Sequence, residues 1–146
     1  MELPQKWIEH IGGLEGIDRT AEPLAGAVHA VTRPDGVKNL LSGTRLGHQL
    51  HPVLTSLPIG AWSMASAFDY FGGQRFADAA CRLVGLGLLS SVPAAGTGAA
   101  DWSDSYGADR RIGVAHAALN LVATATHASS WAARRTGHRR RGTGAR

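Results

Sequence analysis

Three long stretches of apolar and small residues dominate the last two thirds of the chain. They run over about 50–71, 76–102 and 112–133, and the third contains no Lys, Arg, Asp or Glu. A hydrocarbon core about 30 Å thick needs about 20 helical residues, whereas a soluble surface helix of similar length would show a charged face. The pattern predicts three membrane-spanning helices, with connections short enough to make consecutive helices antiparallel neighbours.

These stretches are richer in Ala, Gly and Ser than in Leu. Small residues let membrane helices approach each other closely, but they also lower the hydropathy, so a soluble Ala-rich bundle is the alternative. Pro58 and Pro93 fall inside the first two stretches, where each removes a backbone hydrogen bond and is expected to kink its helix.

The N-terminal third shows a different pattern. In residues 7–31, apolar residues recur at helical spacing, with a break expected at Gly16 or Pro23. A short helix is expected at about 37–41. This region either caps the core or lies on a membrane surface. We therefore predict an all-α integral membrane helical bundle: short amphipathic helices in residues 1–47, a membrane module in 48–133, and an Arg-rich disordered tail in 134–146.

The charge of the chain is concentrated in that tail. The tail holds six Arg and no acid, and without it the formal net charge of +4 becomes −2. A basic segment is expected to stay cytoplasmic and to meet anionic lipid rather than nucleic acid, since it lacks interleaved aromatics. We expect a multi-pass protein of the cell membrane, and no signal peptide is visible. The lone Cys81 excludes an internal disulfide and a four-cysteine metal site.

Four side chains are expected to meet at one membrane face. His48 and His51 precede or begin the first span, Asp101 ends the second, and His116 begins the third. Antiparallel threading places these points at the same face, and the set would suit Zn, Fe or Mn. Two imidazoles from different helices could instead ligate a b-type haem. Asn120, one turn after His116, could hydrogen-bond to His116 and orient it as a ligand.

Two other hypotheses compete with the cofactor site. In the first, the histidines only cap and pack helices in a structural or interaction subunit. In the second, a metal-bound water serves a membrane hydrolase, which needs an open coordination position. No Gly-rich loop follows a strand and no nucleophile elbow is present, so the sequence favours a protein that is not an enzyme. His127 lies too deep in the third span to join the set, and we expect Asp69 and Asp78 to pair with the nearby Arg75 and Arg82.

Several motifs resemble one known family. They comprise Gly47-His48-Gln49-Leu50-His51-Pro52, Leu57-Pro58-Ile59-Gly60, Phe68-Asp69, Gly98-Ala99-Ala100-Asp101-Trp102 and His116-Ala117-Ala118-Leu119-Asn120. In this order they are similar to the signature of the small predicted membrane proteins called domain of unknown function 2231, over about residues 40–133. The resemblance implies a multi-span helical module of unestablished activity. Some relatives are joined to Rieske-type iron–sulfur domains, which implies a redox protein as a partner and electron transfer as a role.

The chain departs from this family in two places. Gln49 stands where the family usually has proline, and the family's fourth hydrophobic helix has no counterpart before Arg146. A set of three helices leaves one flank open, so we expect a homo-oligomer or a helix from another chain to complete it. The sequence as a whole predicts a small metal- or haem-binding module in the lipid bilayer.

Overall fold

The structure, a computed structural model, describes residues 3–44 and 47–143. Within these ranges it is all-helical, without a β-strand. Six α-helices follow one another along the chain: α1 (Leu3–Gly12), α2 (Asp18–Thr32), α3 (Asp35–Leu41), α4 (Leu50–Phe71), α5 (Ala77–Ser103) and α6 (Gly107–Thr143). Short 3-10 turns, Glu15–Ile17 and Gly73–Phe76, precede α2 and α5. The all-α prediction is confirmed.

The three long helices match the three predicted stretches closely. α4 covers the first stretch, α5 is displaced from the second by one residue at each end, and α6 contains the third. α6 also continues into the Arg-rich segment as far as Thr143, and residues 144–146 lie outside the described part. Pro58 and Pro93 are both accommodated inside continuous helices.

One helical segment among the described residues, Gly73–Ser103, is long and apolar enough to cross a membrane. Three spans are therefore not confirmed. The reason lies in composition: α4 carries His51, Thr55 and Ser56, and α6 interleaves hydroxyl, amide and imidazole side chains with alanine. These polar groups lower the hydropathy of both helices although neither contains a long charged face.

The N-terminal helices break at one of the two expected places. α1 ends at Gly12, and the 3-10 turn around Gly16 separates it from α2. α2 then runs through Pro23, so of the two expected places the break lies at Gly16. Pro23 lies at the sixth residue of α2, where a proline costs one backbone hydrogen bond, and the rest of the helix is retained.

The chain divides into two compact units. One comprises the described residues of Met1–His51 with Ala95–Leu121, and the other Pro52–Ala94 with the described residues of Val122–Arg146. The buried core of each unit consists of small side chains. The buried apolar residues of both units are almost all alanine: Ala21, Ala25 and Ala100 in the first, and Ala61, Ala65, Ala80, Val84 and Ala94 in the second.

Large apolar side chains lie on the outside of the same helices. Leu89 of α5 is 72% exposed, Leu119 of α6 is 72% exposed, and Ile59 of α4 is 61% exposed. A water-soluble bundle buries such residues, whereas a helix bundle in lipid places small residues between helices and large apolar ones toward the acyl chains. The packing therefore favours the membrane protein over the soluble Ala-rich bundle.

Glycines admit aromatic rings in the second unit. A methyl group on Gly87 would overlap the indole of Trp62, and one on Gly85 would lie 2.8 Å from Nε1 of Trp131. Trp62 also donates from Nε1 to the carbonyl oxygen of Val84 at 3.4 Å. α5 thus accepts one tryptophan from α4 and one from α6, each over a residue without a side chain.

Candidate functional site

His51 lies where α4 begins and meets the last turns of α5. A methyl group on Gly98 would come within 2.6 Å of its Cε1 atom, and its Nδ1 is 3.4 Å from Oγ1 of Thr97. Its imidazole is also close enough to the carboxylate of Asp101 to interact electrostatically. The start of the first predicted span and the end of the second therefore meet, as antiparallel threading predicts. We call His51, Thr97, Gly98 and Asp101 the α4–α5 cluster.

His48 lies in the turn that leads into α4 and is exposed. Its Nδ1 is 3.2 Å from the carbonyl oxygen of Gln49, an acceptor that requires the proton on Nδ1. The turn depends on Gly43, whose φ of 71° is a left-handed conformation and whose missing side chain leaves room for the carbonyl of His48. His48 thus bonds to its own turn.

His116 is exposed on α6 and is held by Asn120, one turn further along the same helix. The Asn120 amide nitrogen lies 3.0 Å from Nε2 of His116 and 2.8 Å from the His116 carbonyl oxygen. Because an amide nitrogen only donates, Nε2 acts as the acceptor. Asn120 and His116 are therefore hydrogen-bonded, and the support of a bound metal or haem ligand by Asn120 stays a prediction.

The four predicted ligands do not form a metal-binding group in this arrangement. In the part of the chain that the structure describes, no three His, Cys, Asp or Glu side chains are grouped so that they could hold a metal ion. Among the predicted set, His51 and Asp101 interact, while His48 and His116 are engaged by Gln49 and Asn120. The side chains as placed do not fit a closed Zn, Fe or Mn site, and the proposed ligand role of His48, His51, Asp101 and His116 stays a prediction.

A charge cluster that the sequence did not reveal fastens α2 to the start of α6. Arg111 donates from Nε to Oδ1 of Asp18 at 2.9 Å and from Nη1 to the carbonyl oxygen of Gly12 at 2.7 Å. The hydrogen bond from Arg111 lowers the pKa of Asp18 below its ordinary value. The two residues are 93 positions apart, so no local pattern could have paired them.

A second cluster holds α2 and α3 to the end of α5. Lys38 donates to Oδ1 of Asp104 at 2.9 Å, and Nδ1 of His29 lies 3.4 Å from the same oxygen. The hydrogen bond from Lys38 lowers the pKa of Asp104. His29 received no role from the sequence, and its exposed position on an amphipathic helix gave no signal of one.

Two further pairings were not predicted from the sequence, and the first differs from the expected one. Asp69 forms a two-point ion pair with Arg134 at 2.8 and 2.6 Å, not with Arg75 or Arg82. His127 stacks on Trp62 with ring centroids 4.1 Å apart and planes inclined by 12°. Both interactions join α4 to α6 inside the second unit and need knowledge of how the helices face one another.

A family model described as "Predicted membrane protein (DUF2231)" matches residues 47–145. This is about two thirds of the chain and includes α4, α5 and α6. The chain belongs to this family. The suspected membership is thereby confirmed, and with it the description of the chain as a predicted membrane protein of unknown function. No curated protein and no solved structure matches the chain.

The DUF2231 motifs fall on the contacts described above. The His-x-x-His motif contributes His51 to the α4–α5 cluster, and the G-x-x-D-W motif contributes Gly98 and Asp101. In the H-x-x-x-N motif, His116 and Asn120 bond to each other. Residues of these motifs thus contact one another in the structure of this DUF2231 chain.

Proposed function

We propose that this chain is a multi-pass helical module of the membrane that acts as a structural or interaction subunit, with its motif histidines capping and packing helix ends. One observation carries the proposal: each of the three motif imidazoles has a protein partner. His48 bonds within its turn, His51 packs into α5, and His116 is held by Asn120.

The α4–α5 cluster supports a mechanical role for His51. A polar ring at the end of a membrane helix is costly unless it is bonded, and Thr97 and Asp101 offer it a hydroxyl and a carboxylate. Gly98 lets the ring lie against the backbone of α5. Together these residues form a polar clamp that sets the separation and register of two helices.

The competing hypothesis is a metal- or haem-binding module, with electron transfer as its role. The observation in its favour is that His51 and Asp101 are neighbours although they come from different helices. A carboxylate beside an imidazole is a common arrangement around metal-binding histidines. This hypothesis requires His48 and His116 to leave their present partners and join that pair around Zn, Fe, Mn or a b-type haem.

One experiment separates the two hypotheses. The full chain, purified from membranes in mild detergent and shown to be folded by circular dichroism, is examined for visible absorbance and for bound metal. We expect neither a Soret band nor stoichiometric metal. We also expect His51→Ala to lower the thermal unfolding midpoint, with the exposed His10→Ala as the control. A reducible Soret band, or one metal per chain, that disappears in His51→Ala and His116→Ala would overturn the structural proposal.

The proposed partners follow from the same reasoning. The lipid bilayer is the first, because large apolar side chains of α5 and α6 face outward. A second copy of the chain is the next, because the sequence predicts a set of three helices with one open flank. A Rieske-type or other redox protein belongs only to the electron-transfer hypothesis. We place the Arg-rich end on the cytoplasmic side, following the bias of basic residues.

A further inference from the structure

A cavity of about 410 Å³ lies between α5 and α6 in the second unit. It is lined by Cys81, Arg82, Gly85, Trp131 and Arg135. No residue of the α4–α5 cluster contributes to it, so it is separate from the histidine motifs. Two guanidinium groups and an indole in a cavity beside a candidate membrane span form an unusual concentration of hydrogen-bond donors.

The two arginines of this cavity differ from Arg111 and Arg134 of α6. Arg111 and Arg134 are each neutralised by an aspartate. For Arg82 and Arg135, both exposed, the described residues provide no acidic partner. Two positive charges on one cavity wall repel each other unless an anion lies between them.

Arg135 is already positioned for binding. Its Cζ atom lies 4.7 Å from the ring centroid of Trp131, a cation–π arrangement that holds the guanidinium over the indole. An arginine ordered in this way loses less conformational freedom when a ligand arrives.

Trp131 supplies a further donor. The indole N–H groups of Trp62 and Trp102 each donate to a backbone carbonyl, whereas the structure gives Nε1 of Trp131 no acceptor among the described residues. This edge of the indole lies over Gly85, where a methyl group would be 2.8 Å from Nε1. The missing side chain of Gly85 therefore makes room for this edge of the indole at the cavity, which both residues line.

We propose that this cavity binds the phosphate of an acidic phospholipid headgroup. Arginine forks match phosphate oxygens in geometry and charge, and the indole N–H adds a third donor. We infer that a lipid is the source of the phosphate, because tryptophan and arginine are typical of the membrane–water interface and basic residues there attract anionic lipid. Arg82 is near the start of α5 and Arg135 follows the predicted third span, where such an interface is expected.

Native mass spectrometry of the full chain in neutral detergent tests the site. With phosphatidylglycerol and phosphatidylcholine as competing probes, we expect one phosphatidylglycerol to be retained preferentially. Arg82→Gln combined with Arg135→Gln should weaken that retention about tenfold or more, because two charge-assisted contacts are lost. Trp131→Phe keeps the ring and removes the N–H, and should cause a smaller loss of about threefold.

Arg75→Gln is the matched control. Arg75 is exposed, lies just before α5 and loses the same charge, but it does not line the cavity. The comparison is with Arg82→Gln alone and Arg135→Gln alone, each of which also loses one charge. Equal loss in Arg75→Gln and in either of these single variants, or no preference for phosphatidylglycerol over phosphatidylcholine in the folded wild-type protein, would overturn the proposal. Equal thermal unfolding midpoints among the variants exclude misfolding as the cause of lost binding.

A second measurement separates lipid from free phosphate. Inorganic phosphate is titrated against chloride at matched ionic strength while the thermal unfolding midpoint is recorded. We expect no saturable increase at millimolar concentration. A saturable increase that the double variant lacks, together with no retained phosphatidylglycerol, would overturn the lipid assignment in favour of a soluble phosphate.

Discussion

At the scale of single residues, glycine decides which aromatic ring enters which helix contact. Gly98 faces His51, Gly87 faces Trp62, and Gly113 faces Trp102. In each case a Cβ atom would stand less than 3 Å from a ring atom. Gly96, two residues from Gly98 in the same helix, has nothing within 4 Å of an added Cβ. Substitutions at Gly96 and Gly98 can therefore be compared within one helix.

Gly98→Ala should destabilise the protein, by about 1–3 kcal/mol, because the added methyl group overpacks the contact with His51. Gly96→Ala should be neutral or stabilising by up to about 1 kcal/mol, since alanine favours the helix and meets no neighbour. Unfolding in detergent by denaturant gives both values. Equal effects of the two substitutions would show that His51 does not pack against Gly98.

His51→Ala supplies the double-mutant test. If the clash with the imidazole causes the loss, Gly98→Ala should cost much less in a His51→Ala background than in the wild type. Additive effects of the two changes would contradict the contact and would weaken the clamp proposed for the α4–α5 cluster.

At the scale of elements, the N-terminal helices are attached by charge rather than by a large apolar interface. Trp7, Leu24 and Val31 are more than half exposed, while Arg111 reaches the end of α1 and the start of α2. This attachment supports a cap held on the helix ends, which is one of the two interpretations that the sequence left open for residues 7–31, and that choice stays a prediction.

Arg111→Gln should loosen this attachment, because the neutral amide cannot form the two-point ion pair with Asp18. We expect hydrogen–deuterium exchange in residues 3–20 to accelerate by about tenfold, a local opening that leaves α4 and α5 protected. Arg110→Gln is the control, because the Arg110 guanidinium donates to the carbonyl oxygen of Ser105 and lies over the Tyr106 ring, and it acts on Asp18 through its charge without a hydrogen bond. Equal acceleration in both variants would contradict the role of Arg111.

The same attachment should depend on acidity. The pKa values of Asp18 and Asp104 are lowered by hydrogen bonds from Arg111 and Lys38. A lowered pKa stabilises the folded state above the pH where a free aspartate titrates, about 4, and that contribution disappears as the pH falls through the folded-state value. We expect the thermal unfolding midpoint to decrease as the pH is lowered below about 4. The decrease should be smaller in Asp18→Asn combined with Asp104→Asn. An identical pH profile in that variant would contradict the assignment.

At the scale of the whole molecule, the open question is how many helices cross the bilayer. The segment Gly73–Ser103 is long and apolar enough to cross a membrane. α4 and α6 are also long enough to cross it, but they are richer in small polar residues. Their exposed positions allow a direct test, because a side chain that the protein leaves exposed can be shielded only by lipid or by another chain.

Ser63 of α4 and Ala123 of α6 are both exposed in the structure. In a Cys81→Ser background, Ser63→Cys and Ala123→Cys should resist a membrane-impermeant maleimide in intact membranes and should react after solubilisation with denaturant, if all three helices span. Arg19→Cys, on an exposed position of α2, is the control for open access. Rapid labelling of Ser63→Cys and Ala123→Cys in right-side-out and in inverted vesicles would leave α5 as the only span.

The sequence by itself determined the helices and the family. Stretches of helical length with small residues and few charges predicted α4 to α6 closely, because the hydrogen bonds of a helix are local and its limits depend on nearby residues. The motif order around His48, His51, Asp101 and His116 indicated the family that the family model confirms.

Only the tertiary structure decided which side chains meet. Asp69 binds Arg134 rather than Arg75, Arg111 binds Asp18, and His51 packs against Gly98 while His116 is held by Asn120. Each residue turns a helix by about 100° and advances it by 1.5 Å, so a small change in rotation or register replaces one partner with another. Helix rotation and register are set by packing between helices, through glycines such as Gly98 and Gly87. The sequence pattern of one helix does not determine either of them.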